Sequence, residues 1–234
     1  PPRLYDLTTL QRECNRIYGY TAQQTLDYVQ SLYEKKLATY PRTDSQYLTE
    51  DMQATAASLI LWMRDNMPFG KGCAGEPDID RITDSSKVTD HHAIIPTAEI
   101  ARTDLSELPS GEKDVLTLIA ARVLSATAQA HRFEAVTAVL DCKGYSFTAK
   151  GKTVLQAGWK DVERLYRMGL KQSKQEDDEN TDASLPMLKE GQIFETVSAS
   201  VREGKTSPPK HYTEDSLLAA METAGAEDMP EDAE

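Results

Sequence analysis

Phe133-Glu134-Ala135-Val136-Thr137-Ala138-Val139-Leu140-Asp141-Cys142, then Lys143-Gly144, then Tyr145-Ser146-Phe147-Thr148-Ala149-Lys150, is the stretch that decides the fold class. Its apolar positions follow the two-residue period of a strand, and Lys143-Gly144 supplies a two-residue turn, so the stretch predicts an antiparallel hairpin. Thr153 to Ala157 and Gln192 to Val201 predict further strands. Upstream of His131 the period is helical instead. The chain is therefore predicted to be α+β, a helical unit over 1–131 followed by a smaller antiparallel β unit over 132–206.

Within the helical unit, Thr21 and Gln24 have capping-box spacing, and Ala22, Leu26, Val29 and Tyr33 recur at helical intervals with Leu32 widening the stripe. This helix should end near Lys36, a cation suited to the negative end of the helix dipole. Leu37-Ala38-Thr39 then forms a short extended approach to Tyr40. Thr49 is the expected N-cap of a second helix reaching Asp65, with Met52, Ala56, Leu59, Ile60 and Met63 on one face. A third helix is expected after Pro109-Ser110, through Val115, Leu118, Ile119, Arg122, Val123 and Ala126 toward His131. Asn66 to Thr97 is rich in Gly, Pro, Asp and Ser and predicts a long loop, a kind of segment that is often functional in compact domains.

Tyr40-Pro41-Arg42-Thr43-Asp44-Ser45 carries the chemistry. Pro41 fixes its own φ and drives Tyr40 toward extended backbone, so the phenol is presented from a stiff segment two residues from a guanidinium. A phenol can attack phosphorus only if the charge building on the phosphoryl oxygens is offset, and the arginine fork does this by two-point bonding. Thr43, Asp44 and Ser45 can turn their side chains back to the local backbone. Asp44 could serve as a base, but an orienting ion pair with Arg42 or a turn-forming role fits its position as well. The structural alternative is an ordinary turn with a buried Tyr and a solvated Arg.

Thr39-Tyr40-Pro41-Arg42-Thr43-Asp44-Ser45 resembles the nucleophile motif of type IA DNA topoisomerases, in the form found in the bacterial topoisomerase III branch. Asp90-His91-His92-Ala93-Ile94-Ile95-Pro96-Thr97 is similar to that branch's histidine motif and follows the tyrosine, as the family order requires. Leu4 to Glu13 and Gly19 to Leu26 look like the same family. The likeness covers most of the chain and stops near Gly225. It implies that Tyr40 forms a 5′-phosphotyrosine bond with one DNA strand, Arg42 assists, and His91 contacts the scissile phosphate. Thr43, Asp44 and Ser45 become candidate DNA contacts, and single-stranded DNA becomes the expected partner. It also implies that 1–131 is the tyrosine-bearing helical domain, 132–206 part of the β-rich arch, and 207–234 the start of a further domain with an acidic tail. The family's Mg2+ belongs to an acidic cluster in a Toprim domain, and nothing in this sequence matches that domain. This chain is therefore expected to bind no metal and to be inactive alone, its activity needing the remaining topoisomerase domains in cis.

Composition sets further bounds. The net charge of −12 argues against a nucleic-acid binder, yet residues 171–184 carry five acids against two lysines and residues 222–234 carry six acids and no base, leaving the body near −3. The segment 171–184 is expected to be a flexible excursion, and Asp177-Asp178-Glu179 within it a solvated run rather than a metal site. Cys14, Cys73 and Cys142 are too few and too scattered for a disulfide framework or a zinc ribbon, and Cys14 and Cys142 are expected as buried hydrophobes. His91 and His92, adjacent on extended chain, point in opposite directions and make a poor joint ligand pair. No Gly-x-x-x-x-Gly-Lys phosphate loop occurs. No apolar run approaches a membrane span and no signal peptide opens the chain, so a soluble, cytoplasmic protein is expected, and the resemblance implies work at the bacterial nucleoid. Its first residue, Pro1, suits an internal piece of a longer protein. The alternative function is a non-catalytic module that binds single-stranded DNA or a protein partner, with Tyr40 stacking on a base.

Overall fold

A computed structural model describes residues 1–170, 185, 188–194, 198, 201 and 203–224. Helix α1 (Leu7–Tyr18) opens on a capping box between Asp6 and Thr9 and closes at Gly19, whose φ of 75° places it in the left-handed region that glycine adopts without strain. Helix α2 (Ala22–Glu34) opens on the Thr21/Gln24 box expected from the sequence and ends at Lys35. Lys36 then takes φ 61°, and Leu37 N–H donates back to Leu32 O at 2.8 Å, which turns the chain toward Tyr40. Thr49 does not cap a helix with its side chain. It precedes a 3-10 turn, Glu50–Met52, from which α3 (Gln53–Asn66) continues with Ala56, Leu59, Ile60 and Met63 buried as expected.

Helix α4 (Ser110–Thr127) runs through the centre of the helical unit, with Val115, Leu116, Ile119, Ala120 and Leu124 wholly inside. It packs on α2 and on a helix that the sequence pattern does not announce, α5 (Lys160–Gly169). Although α5 lies in the segment expected to be β-rich, its Val162 and Tyr166 join the same core as α1 to α4. The approach is close at Gly72, in a 3-10 turn of the long loop, where an added Cβ would lie 2.5 Å from Val162 N. Backbone cannot yield as a side-chain tip can. Gly72→Ala should therefore cost about 2 kcal/mol, lowering Tm in a thermal melt by roughly 4–8 °C. Gly169→Ala, where an added methyl meets nothing within 4 Å, should show no loss.

The hairpin forms as predicted. Strand β1 (Arg132–Cys142) pairs antiparallel with β2 (Tyr145–Gln156), and Lys143 and Gly144 both have positive φ, as a type I′ turn requires. The separate strand expected over Thr153 to Ala157 is instead the continuation of β2, since the register runs unbroken from Cys142↔Tyr145 to Phe133↔Val154. Among the described residues this is the only sheet, so the fold is α+β with a two-stranded antiparallel element. The hairpin stands clear of the core, with Val139 and Tyr145 70% and 75% exposed. Cys142, expected to be buried, is exposed for that reason, whereas Cys14 is buried and its thiol is pushed up to about 12. Gln192 to Phe194 form no strand. The rest of the strand expected there lies largely, and the acidic excursion 171–184 wholly, outside the described residues.

Helix α6 (Glu214–Thr223) begins at a Thr213/Ser216 capping box and lies against α1, where Arg12 reaches Asp215 and Glu222, each at 3.0 Å. Glu214 accepts from the Ala22 N–H at 2.5 Å, placing a carboxylate on the positive end of α2.

Candidate active site

Three segments remote in sequence are laced together by backbone hydrogen bonds. Ile94 N–H donates to Tyr5 O at 2.8 Å, Leu7 N–H to Thr43 O at 3.1 Å, Thr39 N–H to Ile95 O at 3.0 Å, and Ala93 N–H to Tyr47 O at 2.9 Å. The lacing rests on core residues, Tyr5, Ala38 and Ile94 being almost fully buried. Arg122 on α4 donates to the Tyr5 hydroxyl at 2.9 Å and lies over its ring. Burial holds the Tyr5 phenol protonated well above the ordinary tyrosine range, so it acts as a neutral post.

The half-buried Tyr40 ring sits between two aromatic neighbours. Tyr33 of α2 meets it edge-on with centroids 5.3 Å apart, and His91 lies 4.3 Å away with the planes 43° apart. Such edge contacts fix ring orientation as well as burying area. Two of the three residues singled out for catalysis are thus in contact. Arg42 occupies the apex of a three-residue turn closed by Thr43 N–H to Pro41 O at 3.1 Å, while Pro41 itself is buried. An apex side chain projects outward. The guanidinium is exposed and makes no hydrogen bond or ion pair with the described residues, so its fork is open to an anion.

Thr43 and Ser45 face inward, at 9% and 4% exposure. The Thr43 hydroxyl donates to His91 O at 2.7 Å and accepts from Ser45 N–H at 3.1 Å, while the Ser45 hydroxyl donates to Lys87 O at 2.8 Å. These hydroxyls fasten the tyrosine segment to the histidine segment. Asp44 is exposed and accepts from Thr89 at 3.3 Å, and it makes no ion pair with Arg42. His92 donates through Nδ1 to Ala93 O at 2.8 Å, turned to its own backbone. Among the described residues no three His, Cys, Asp or Glu side chains gather as a cation site. No described helix is long and apolar enough to cross a membrane.

Thr43→Val keeps the shape but leaves His91 O and Ser45 N–H without their partner. The expected loss is about 2 kcal/mol, roughly 4–8 °C in Tm, with Thr43→Ser restoring most of it in the same melt. Tyr33 carries no sequence signal of a site residue, because its place in the α2 stripe marks it for the core. Tyr5 and Arg122 are equally hidden, one in the opening segment and one on a central helix.

A model of the family described as DNA topoisomerase matches residues 1–226. DNA topoisomerase 3 of Bacillus subtilis is 38% identical over 231 residues, covering 96% of this chain and 31% of that protein. DNA topoisomerase 3 of Bacillus licheniformis is 37% identical, covering 96% and 30%. The chain thus spans about a third of the length of these relatives. Full-length topoisomerase I from Thermotoga maritima superposes with a TM-score of 0.58 at 23% identity, over 96% of this chain and 35% of that one, a likeness of fold.

Proposed function

We propose, from the premise that this chain belongs to the type IA DNA topoisomerase family, that it carries the nucleophile with which a DNA topoisomerase cuts and reseals one strand. The observation that supports this most directly is the contact between the Tyr40 and His91 rings, with Arg42 two residues along the chain from Tyr40 and its guanidinium unpaired among the described residues. In the proposed step the Tyr40 hydroxyl loses its proton and its oxygen attacks a backbone phosphorus. The bond from phosphorus to the 3′ oxygen breaks, and that oxygen leaves as a hydroxyl after taking up a proton. Arg42 donates two N–H groups to the non-bridging oxygens as charge gathers on them, and His91 donates to the same phosphate. One phosphodiester is exchanged for a 5′-phosphotyrosine ester, so the reverse attack by the 3′ hydroxyl reseals the strand without a nucleotide cofactor. Passage of a second strand through the gap before resealing changes DNA topology.

The described residues supply no cluster that fits a resident divalent ion, so no step here is routed through one. We assign the Mg2+ implied by the resemblance to acidic groups of the remaining domains, and with it the dependence of cleavage on those domains. The partners are single-stranded DNA and those domains in cis.

The test uses this chain joined to the rest of a topoisomerase III-like protein and a single-stranded oligonucleotide labelled at its 3′ end. Denaturing the mixture during turnover should leave the label on the protein, and peptide mapping should place it on Tyr40. Label transfer from the 5′ end instead, or a modified residue other than Tyr40, would rule the reading out.

A further inference from the structure

Tyr47 holds two cations. Lys87 Nζ lies 4.5 Å from its ring centroid and the Arg3 guanidinium 5.5 Å, both within the range in which a cation is drawn to an aromatic face. Both cations are exposed. Arg3, like Arg42, makes no ion pair with the described residues, although most other arginines of this acidic chain do, as at Arg12, Arg16, Arg64, Arg81, Arg102, Arg122 and Arg164. Lys87 pairs with Asp84 at 2.7 Å, which orients the ammonium and still leaves it donors to spare.

The pair is fastened to the candidate site by the hydrogen bonds that build the site. Tyr47 O accepts from Ala93 N–H at 2.9 Å, and Lys87 O accepts from the Ser45 hydroxyl at 2.8 Å. Ala93 lies two residues beyond His91, about 7 Å along extended backbone, a separation on the scale of one stretched nucleotide.

From this placement we propose that Arg3 and Lys87, steadied by Tyr47, form a second phosphate-binding subsite, which grips the backbone of single-stranded DNA beyond the phosphate at Tyr40. It rests on the reading of Tyr40 given above. Two cations on an aromatic post contact phosphates and read no base edges, so the grip is independent of sequence. It also supplies a local positive surface that the net charge of −12 conceals.

The test measures binding of a fluorescent oligothymidylate to this chain by anisotropy across a salt series. The double variant Arg3→Gln/Lys87→Gln should flatten the slope of log affinity against log salt by about 1.4, at ~0.7 for each phosphate no longer neutralised. Lys143→Gln/Lys205→Gln removes the same charge from exposed positions elsewhere and should leave the slope unchanged. An unaltered slope in the first variant, an equal change in the second, or no binding by the unmutated chain overturns the proposal. Its failure is distinct from failure of the Tyr40 chemistry, because a flattened slope without any adduct at Tyr40 would leave a phosphate grip lacking a nucleophile.

Discussion

Tyr40→Phe should abolish the covalent protein–DNA adduct in the assembled enzyme while leaving the fold intact. The substitution keeps the ring, and with it the edge contact to Tyr33 and the contact to His91, so stability should move by no more than about 0.5 kcal/mol. It removes the attacking oxygen, and the effects of deleting a nucleophile run to about 10⁴–10⁶ in rate. Affinity for single-stranded DNA should survive. The same variant separates the nucleophile from a mere stacking platform, because a base stacks on phenylalanine as well as on tyrosine. Adduct formation or relaxation of supercoiled DNA at the unmutated rate by Tyr40→Phe would decide for stacking. Tyr33, exposed and adjacent, is the obvious substitute nucleophile, and mapping of any residual adduct would expose it.

Arg42→Ala should slow cleavage and resealing together by about 10²–10³, the usual consequence of removing one donor aimed at developing charge. Arg42→Lys keeps the charge but replaces a planar two-point fork by a single ammonium, so it should recover only part of that rate. Both directions pass through the same transition state, so the ratio of cut to sealed DNA at equilibrium should stay where it was. Tm should also hold, because the guanidinium bonds to none of the described residues and the fold would not feel its removal. Pre-steady-state cleavage and resealing rates on one oligonucleotide would check both statements. A change confined to binding, with rates intact at saturating DNA, would demote Arg42 to an electrostatic anchor.

How much of this is legible in the residues alone depends on how local the cause is. The Thr21/Gln24 box and the Lys143-Gly144 turn act within a few residues, and both appear where the sequence puts them. Thr49 fails as a cap because the chain enters α3 through a 3-10 turn, and the same residue types suit either entry. Helix α5 is not legible although Val162 and Tyr166 are spaced one helical turn apart, since so short a stripe means little until Gly72 leaves room for it. In the site, Tyr40, Arg42 and His91 are legible through family resemblance, and the structure adds that two of them touch. The inward turn of Thr43 and Ser45 is not legible. Their partners are the carbonyls of His91 and Lys87, and no local rule reports which distant carbonyl a hydroxyl will find.

The bonds of Tyr5, Thr39 and Tyr47 to residues 93–95, and of Leu7 to Thr43, mean that no single peptide of this chain can adopt the reactive arrangement by itself. Loss of competence in denaturant should then coincide with the global transition seen by tryptophan fluorescence, rather than precede it as in enzymes whose reactive groups ride on a loose surface loop. In the assembled enzyme, deletion of residues 93–95 should abolish adduct formation, and a nick between α3 and α4 should be tolerated only while the two pieces stay associated.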